Sequence, residues 1–187
     1  MRERIAPSAL AQAGGPPFTV TNLADSGPAS LRRAILEANA RPGPDVIDFA
    51  PGLHGMISLT SGVLTITDSL EINGPGGWWL SVSGNHASRV FEIEGAANTV
   101  TIAGLAITQG FAGGNAANPG MGSGILLDSG SLTLSQVILS DNRAVGGSGG
   151  SGLGGGIYNL RTFTTGPNSI ITGNRVSTSH PNIFPPG

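Results

Sequence analysis

The chain has no cysteine, no lysine and few aromatic residues, and each of these absences removes a class of answer. Without Cys there is neither a disulfide framework nor a thiolate metal site, and the redox compartment cannot be read from thiol usage. All nine basic residues are Arg, set against eleven acids, so the formal net charge is −2 and there is no basic footprint for nucleic acid. Charged residues make up 11% and aromatics 5%. A core must therefore be built from Val, Ile, Leu and Ala, which suits thin repeated layers better than one bulky centre. No apolar run approaches the roughly 20 residues that a membrane-spanning helix needs. Glycine is what the chain has in abundance, at 31 of 187 residues.

Residues 1–17 mix Ala, Ser, Gly and Pro without periodicity and read as a flexible leader. Within them Ala11, Gln12 and Ala13 have the small-residue look of a signal-peptidase site, but no adequate apolar segment precedes them. Phe18 and Val20 then alternate with threonines as a first strand. Asp25 supplies a capping residue and Pro28 suits a first turn. Leu31, Ala34, Ile35 and Ala38 follow at helical spacing, which predicts one helix over about residues 28–40. From Val46 onward the pattern changes to short alternating apolar segments broken by Gly, Asn, Asp and Ser. Inward pairs are expected at Ile57 and Leu59, Leu64 and Ile66, Leu70 and Ile72, Leu80 and Val82, and Phe91 and Ile93. Further pairs are expected at Val100 and Ile102, Leu105 and Ile107, Leu132 and Leu134, and Val137 and Leu139.

A shift of 32 residues lays residues 100–108 on 132–140 with apolar positions matching one for one. The same shift carries Gly124 and Ile125 onto Gly156 and Ile157, and residues 139–143 onto 171–175. Such a unit, with three short strands, no helix and one long Gly-rich insert (residues 109–123 and 141–155), describes a coil of a β-solenoid. One coil cannot bury its own inward side chains, so neighbouring coils must complete the core. The expected fold is all-β, a right-handed parallel β-helix over residues 18–175 with one N-terminal capping helix, followed by a Pro-containing tail over 176–187. A β-sandwich is the rival, but it has no reason to repeat its whole pattern after 32 residues.

Residues 18–39 together with 45–49 resemble the capping region of bacterial surface proteins with right-handed parallel β-helix repeats, often described as CSLREA-type. Ser30, Leu31, Arg32, Arg33 and Ala34 sit at that motif's centre, with Ala29 in place of its Cys and Arg33 in place of its Glu. The later coils resemble polymorphic outer-membrane proteins. Gly155, Gly156 and Ile157 fit their Gly-Gly-apolar motif, and Leu139 to Asn142 and Ile171 to Asn174 fit their Phe-x-x-Asn motif with an aliphatic first residue. The resemblance implies a solenoid at the bacterial surface or secreted, and it leaves activity open because one scaffold hosts adhesins, passengers, lyases and glycosidases.

Among polar residues, Asn142 and Asn174 are expected to stack as a structural amide ladder. Arg143 and Arg175 follow them and form a row that would suit an acidic sugar, or that is simply solvated. Glu92 and Glu94 alternate on one strand, with Glu71 near them in an adjacent coil, the grouping an acid–base pair or Ca²⁺ would need. Trp78 and Trp79, adjacent on a strand, should face opposite ways, one inward and one outward as a sugar platform or partner contact. Asp45 and Asp48 belong with the cap, and Asp128 and Asp141 stand alone. His54, His86 and His180 show no ligand spacing, and the Gly-rich inserts read as flexible spacer. No catalytic residue, metal or cofactor is assigned. The expectation is a non-catalytic, extracytoplasmic scaffold, passenger or adhesion module, with self-association or a surface polysaccharide as partner. The alternative is a carbohydrate-active lyase or hydrolase on the same scaffold.

Overall fold

A computed structural model describes residues 15–115, 119–148, 150–178 and 181–184. The strands pair in parallel and gather into three long faces. The first face stacks Phe18–Val20, Asp45–Phe49, Leu70–Asn73, Thr99–Ala103, Ser131–Ser135 and Thr162–Thr165. The second stacks Gly55–Ser58, Leu80–Ser83, Ala106–Thr108, Ile138–Ser140 and Ile170–Ile171. The third stacks Leu64–Ile66, Phe91–Ile93, Ile125–Leu127, Ile157–Asn159 and Ile183–Phe184. From Asp45 onward the chain visits the three faces in that order five times, so the molecule is a parallel β-helix of about five coils.

The alternation in the sequence explains the geometry. Side chains on a strand point to opposite faces in turn, and the nine inward pairs expected from the sequence are all at most 2% exposed. They form one continuous core with the cap. Burying a Leu or Ile side chain contributes roughly 1.5–3 kcal/mol, and each coil obtains that burial only from its neighbours. The 32-residue shift reappears as register, with Val100 opposite Leu132, Ile125 opposite Ile157 and Leu139 opposite Ile171. Nearer the N-terminus the step is shorter, and Asp48 meets Asn73 only 25 residues on.

The Gly-rich inserts are not spacers, and the repeat holds five strands rather than three. Phe111–Gly113, Arg143–Val145 and Arg175–Val176 form one short parallel sheet, and Gly120–Met121 with Gly152–Leu153 form another. Backbone bonds tie the inserts layer to layer: Gly114 N–H donates to Val145 O at 2.7 Å and Gly120 N–H to Ser151 O at 2.9 Å. Part of the expected tail also joins the stack, because Ile183–Phe184 pair with the strand Ile157–Asn159 and the Phe184 ring stacks on Tyr158 at 5.3 Å. Pro185 and Pro186, His180 and the residues of the expected signal site lie outside the described residues.

The helix, α1, spans Leu31–Asn39 and buries Leu31, Ala34, Ile35 and Ala38 against the first strands. It is shorter than its sequence pattern suggests because Ser30, not Asp25, caps it. Ser30 is fully buried; its Oγ accepts from Arg33 N–H at 3.3 Å and donates to Gly27 O at 2.8 Å. Asp25 instead reaches across to the first coil. Its Oδ1 accepts from Arg32 Nη2 at 2.7 Å, while Oδ2 accepts from Thr60 N–H at 3.2 Å and Ser61 N–H at 2.9 Å. Burial by itself would raise this carboxyl, but the hydrogen bonds from Arg32, Ser61 and Thr60 and the guanidinium charge outweigh it and hold the pKa at about 2. Arg32 also donates to Gly62 O at 2.6 Å and Val63 O at 2.9 Å. At the other helix end Asn39 donates to Thr65 O at 2.8 Å and accepts from Thr67 N–H at 3.0 Å. Arg41 lies over the Phe18 ring, 4.3 Å from its centroid, and bonds the buried Asp45 at 2.7 Å.

Candidate functional site

Trp78 and Trp79 are not on a strand. They end a loop over residues 74–79 that precedes Leu80–Ser83, and both are turned outward, 84% and 67% exposed. The expectation of one buried and one exposed ring fails because the two residues sit in a turn, where strand alternation does not apply. The loop lies across the coil that follows it: Gly74 N–H donates to Ala103 O and Gly76 N–H to Gly104 O, both at 2.8 Å. A Cβ at Gly74 would sit 2.2 Å from Gly104 O, so this approach requires glycine. Trp79 N–H then closes a turn on Gly76 O at 2.9 Å and leaves both indoles in solvent.

The loop overhangs a groove of about 280 Å³ whose other wall is Gln136, Ile138, Asn168 and Ile170. Ile138 and Ile170 are the last members of the outward row of the second face, Met56, Ser81, Ala106, Ile138 and Ile170, each in register with the next. No strand of that face carries an ionisable residue. Gln136 and Asn168 occupy the corner that leads into it. That corner is left-handed in three successive coils, with φ of 62° at Gly104, 55° at Gln136 and 58° at Asn168. Glycine enters this region freely, whereas a residue with a Cβ does so at about 1 kcal/mol or more, Asn least of the ordinary residues. Both amides are exposed, and among the described residues neither makes a hydrogen bond within the protein. Gln109, left-handed at the next corner, differs in that its Oε1 accepts from Ser83 Oγ at 2.7 Å.

Asn142 and Asn174 form the ladder expected of them. Asn142 is fully buried; it donates to Ile107 O, Ser140 O and Asn174 Oδ1 at 2.9–3.1 Å and accepts from Gly110 N–H at 2.8 Å. Asn174, 5% exposed, donates to Leu139 O at 2.9 Å and onward to Asn182 Oδ1 at 3.1 Å. Asn182 is a member that no sequence repeat revealed, since it lies eight residues from Asn174 rather than 32.

Glu71 is not brought to the other two glutamates. Glu92 faces out of the third face, in register with Thr65 and Leu126, and lies 3.7 Å from Arg89. Glu94 falls just beyond that strand's end, and Glu71 is on the first face opposite Thr101. Glu71 does not join Glu92, because their strands belong to different faces. Asp45 and Asp48 are held by Arg41 and Asn73. Among the described residues no three His, Cys, Asp or Glu side chains are grouped as metal ligands would be. Arg143 and Arg175 are exposed and opposite each other in register, and neither has an acidic partner among the described residues. His54 turns back to Gly52 O at 2.8 Å, and His86 sits exposed in a left-handed turn. A larger hollow lies outside α1, but its Arg32 and Arg33 are already paired with Asp25 and Glu37.

No protein-family model matches the chain, and no curated protein or solved structure matches it either. The groove must therefore be read from its own chemistry. Sequence reasoning singled out the tryptophans but not Gln136 or Asn168. A signal for them existed, because the 32-residue shift places both on Gly104, a glycine at a strand junction.

Proposed function

We propose that the chain is a non-catalytic β-helix module of a bacterial surface or secreted protein, a rigid rod that presents its second face to an extracellular partner. The observation that carries this reading is the pairing of an unbroken core with a solvent-exposed tryptophan pair over an uncharged groove. A continuous core makes a rod stiff, and large exposed apolar groups beside a concavity are what a binding surface requires. The resemblance of residues 18–39 and 45–49 to surface-protein caps supports the extracytoplasmic setting. The hydrolase form of the enzymatic alternative calls for two convergent carboxylates, and the placing of Glu71 on a different face from Glu92 favours the scaffold. Purified protein incubated with a panel of polysaccharides is expected to release no new reducing ends or unsaturated products. Sustained turnover that Glu92→Gln or Glu94→Gln abolishes would overturn the proposal.

A further inference from the structure

We infer that the groove between the Trp78–Trp79 loop and the last coils binds an uncharged polysaccharide, with the indoles as stacking platforms and the Gln136 and Asn168 amides reading hydroxyl groups. This deepens the surface-module reading and rests on it for the setting, though not for the chemistry. Two neighbouring indoles held in water by a loop that clamps the next coil present broad, rigid apolar faces, the shape that matches the C–H face of a sugar ring. Ile138 and Ile170 continue that apolar floor beneath them.

The amides give the site its polar definition. Each side-chain amide both donates and accepts, as does each sugar hydroxyl. Gln136 and Asn168 hold left-handed backbone at a corner where Gly104 shows that glycine serves, and their amides are unbonded within the described protein. Side-chain amides that the fold leaves unbonded beside the groove can meet a ligand without giving up a bond inside the protein. The absence of charge narrows the ligand class. Neither the groove nor any strand of the second face offers a cation to pair with an acidic sugar, a nucleic acid or a phosphorylated chain. The repetition narrows it again. Gln136 and Asn168 stand one coil apart, about 4.8 Å along the stack, as do Ile138 and Ile170 in register. Equivalent contacts repeated along one axis suit a polymer better than a single sugar.

Trp78 and Trp79 are the only tryptophans in the chain, so indole fluorescence reads this groove alone. Soluble mixed-linkage glucan, galactomannan and dextran would be titrated, with polygalacturonate as the acidic control, and retention measured in parallel by affinity electrophoresis. The expected result is a saturable change in emission and retention with at least one uncharged polymer. The double variant Trp78→Ala/Trp79→Ala should lose retention by tenfold or more, and Gln136→Gly/Asn168→Gly by roughly threefold to tenfold. Circular dichroism should stay as in the parent and the thermal midpoint should not fall, because all four side chains are exposed and glycine accepts the corner. Retention by polygalacturonate alone, retention by none of the polymers, or retention indifferent to both double variants would overturn the inference. So would a concentration-dependent dimer, seen by light scattering, that the tryptophan variant abolishes, since a second copy would then be the occupant. Binding accompanied by turnover would overturn the non-catalytic reading and leave this one standing.

Discussion

At the N-terminal end of the stack, side chains of α1 and its flanking turns reach across into the first coil, each with its own partner. In the third to fifth coils a single buried amide column does the holding from within. The cap uses Asp25, Arg32, Asn39 and Arg41, and none of these bonds recurs at the repeat step. The column uses Asn142 and Asn174, one 32-residue step apart and bonded to the same kinds of carbonyl. The difference follows from symmetry. Where one coil is a translated copy of the next, one side chain that satisfies a bend can be repeated without redesign. A helix laid across the end of a stack has no such copy beneath it, so each of its polar contacts must be made individually.

The sharpest way to break the contrast is Asn142→Ala. It strands the buried Gly110 N–H and removes one bond each from Ile107 O and Ser140 O. At about 1–3 kcal/mol for the buried N–H left unpaired and about 1 kcal/mol for each other bond lost, a loss of roughly 3–5 kcal/mol is expected in urea unfolding. Asn174→Ala, slightly exposed and one coil further along, should cost less. Equal losses at the two positions would mean that the column is not graded from its interior outward.

Asp25→Asn tests the individual contacts of the cap. The folded carboxyl titrates at about 2 against an ordinary 3.8, so its ionised form is favoured in the native state. This contribution, about 2 kcal/mol from the size of the shift, is complete above about pH 4 and is lost as the pH falls through 2. Thermal midpoints of parent and variant should therefore differ at neutral pH and converge in acid. Curves that run parallel between pH 2 and 4 would remove Asp25 from the account. Smallest is Ser30→Ala, expected to cost about 1 kcal/mol, the usual value of a lost helix cap. No change in unfolding free energy would mean that α1 is held by its buried face alone.

Much of this architecture can be read from the residues. The inward pairs are legible because Val, Ile, Leu and Phe recur at every second position, and the register is legible because residues 100–108 and 132–140 match position by position. The insert strands are not, since two or three residues such as Gly152 and Leu153 carry no alternation to detect. The cap misled for a local reason: Asp25 and Ser30 are both good capping residues, and only packing decides which one meets a free N–H of the first helical turn. The candidate site is the least legible part. Knowing that Glu71 and Glu92 lie on different faces, or that the tryptophans lie in a turn, requires the number of residues each coil uses between strands, and that number varies along the stack.

The 32-residue step that joins the third coil to the fourth has a consequence for reach. A stack that advances about 4.8 Å per coil and repeats after 32 residues is a graduated ruler: every further unit of that length adds one mark to each outward row, including the row holding Ile138 and Ile170. A surface of this kind gains contact sites in direct proportion to chain length while each site stays unchanged. Its hold on a long partner would then be set by counting coils rather than by improving any one of them.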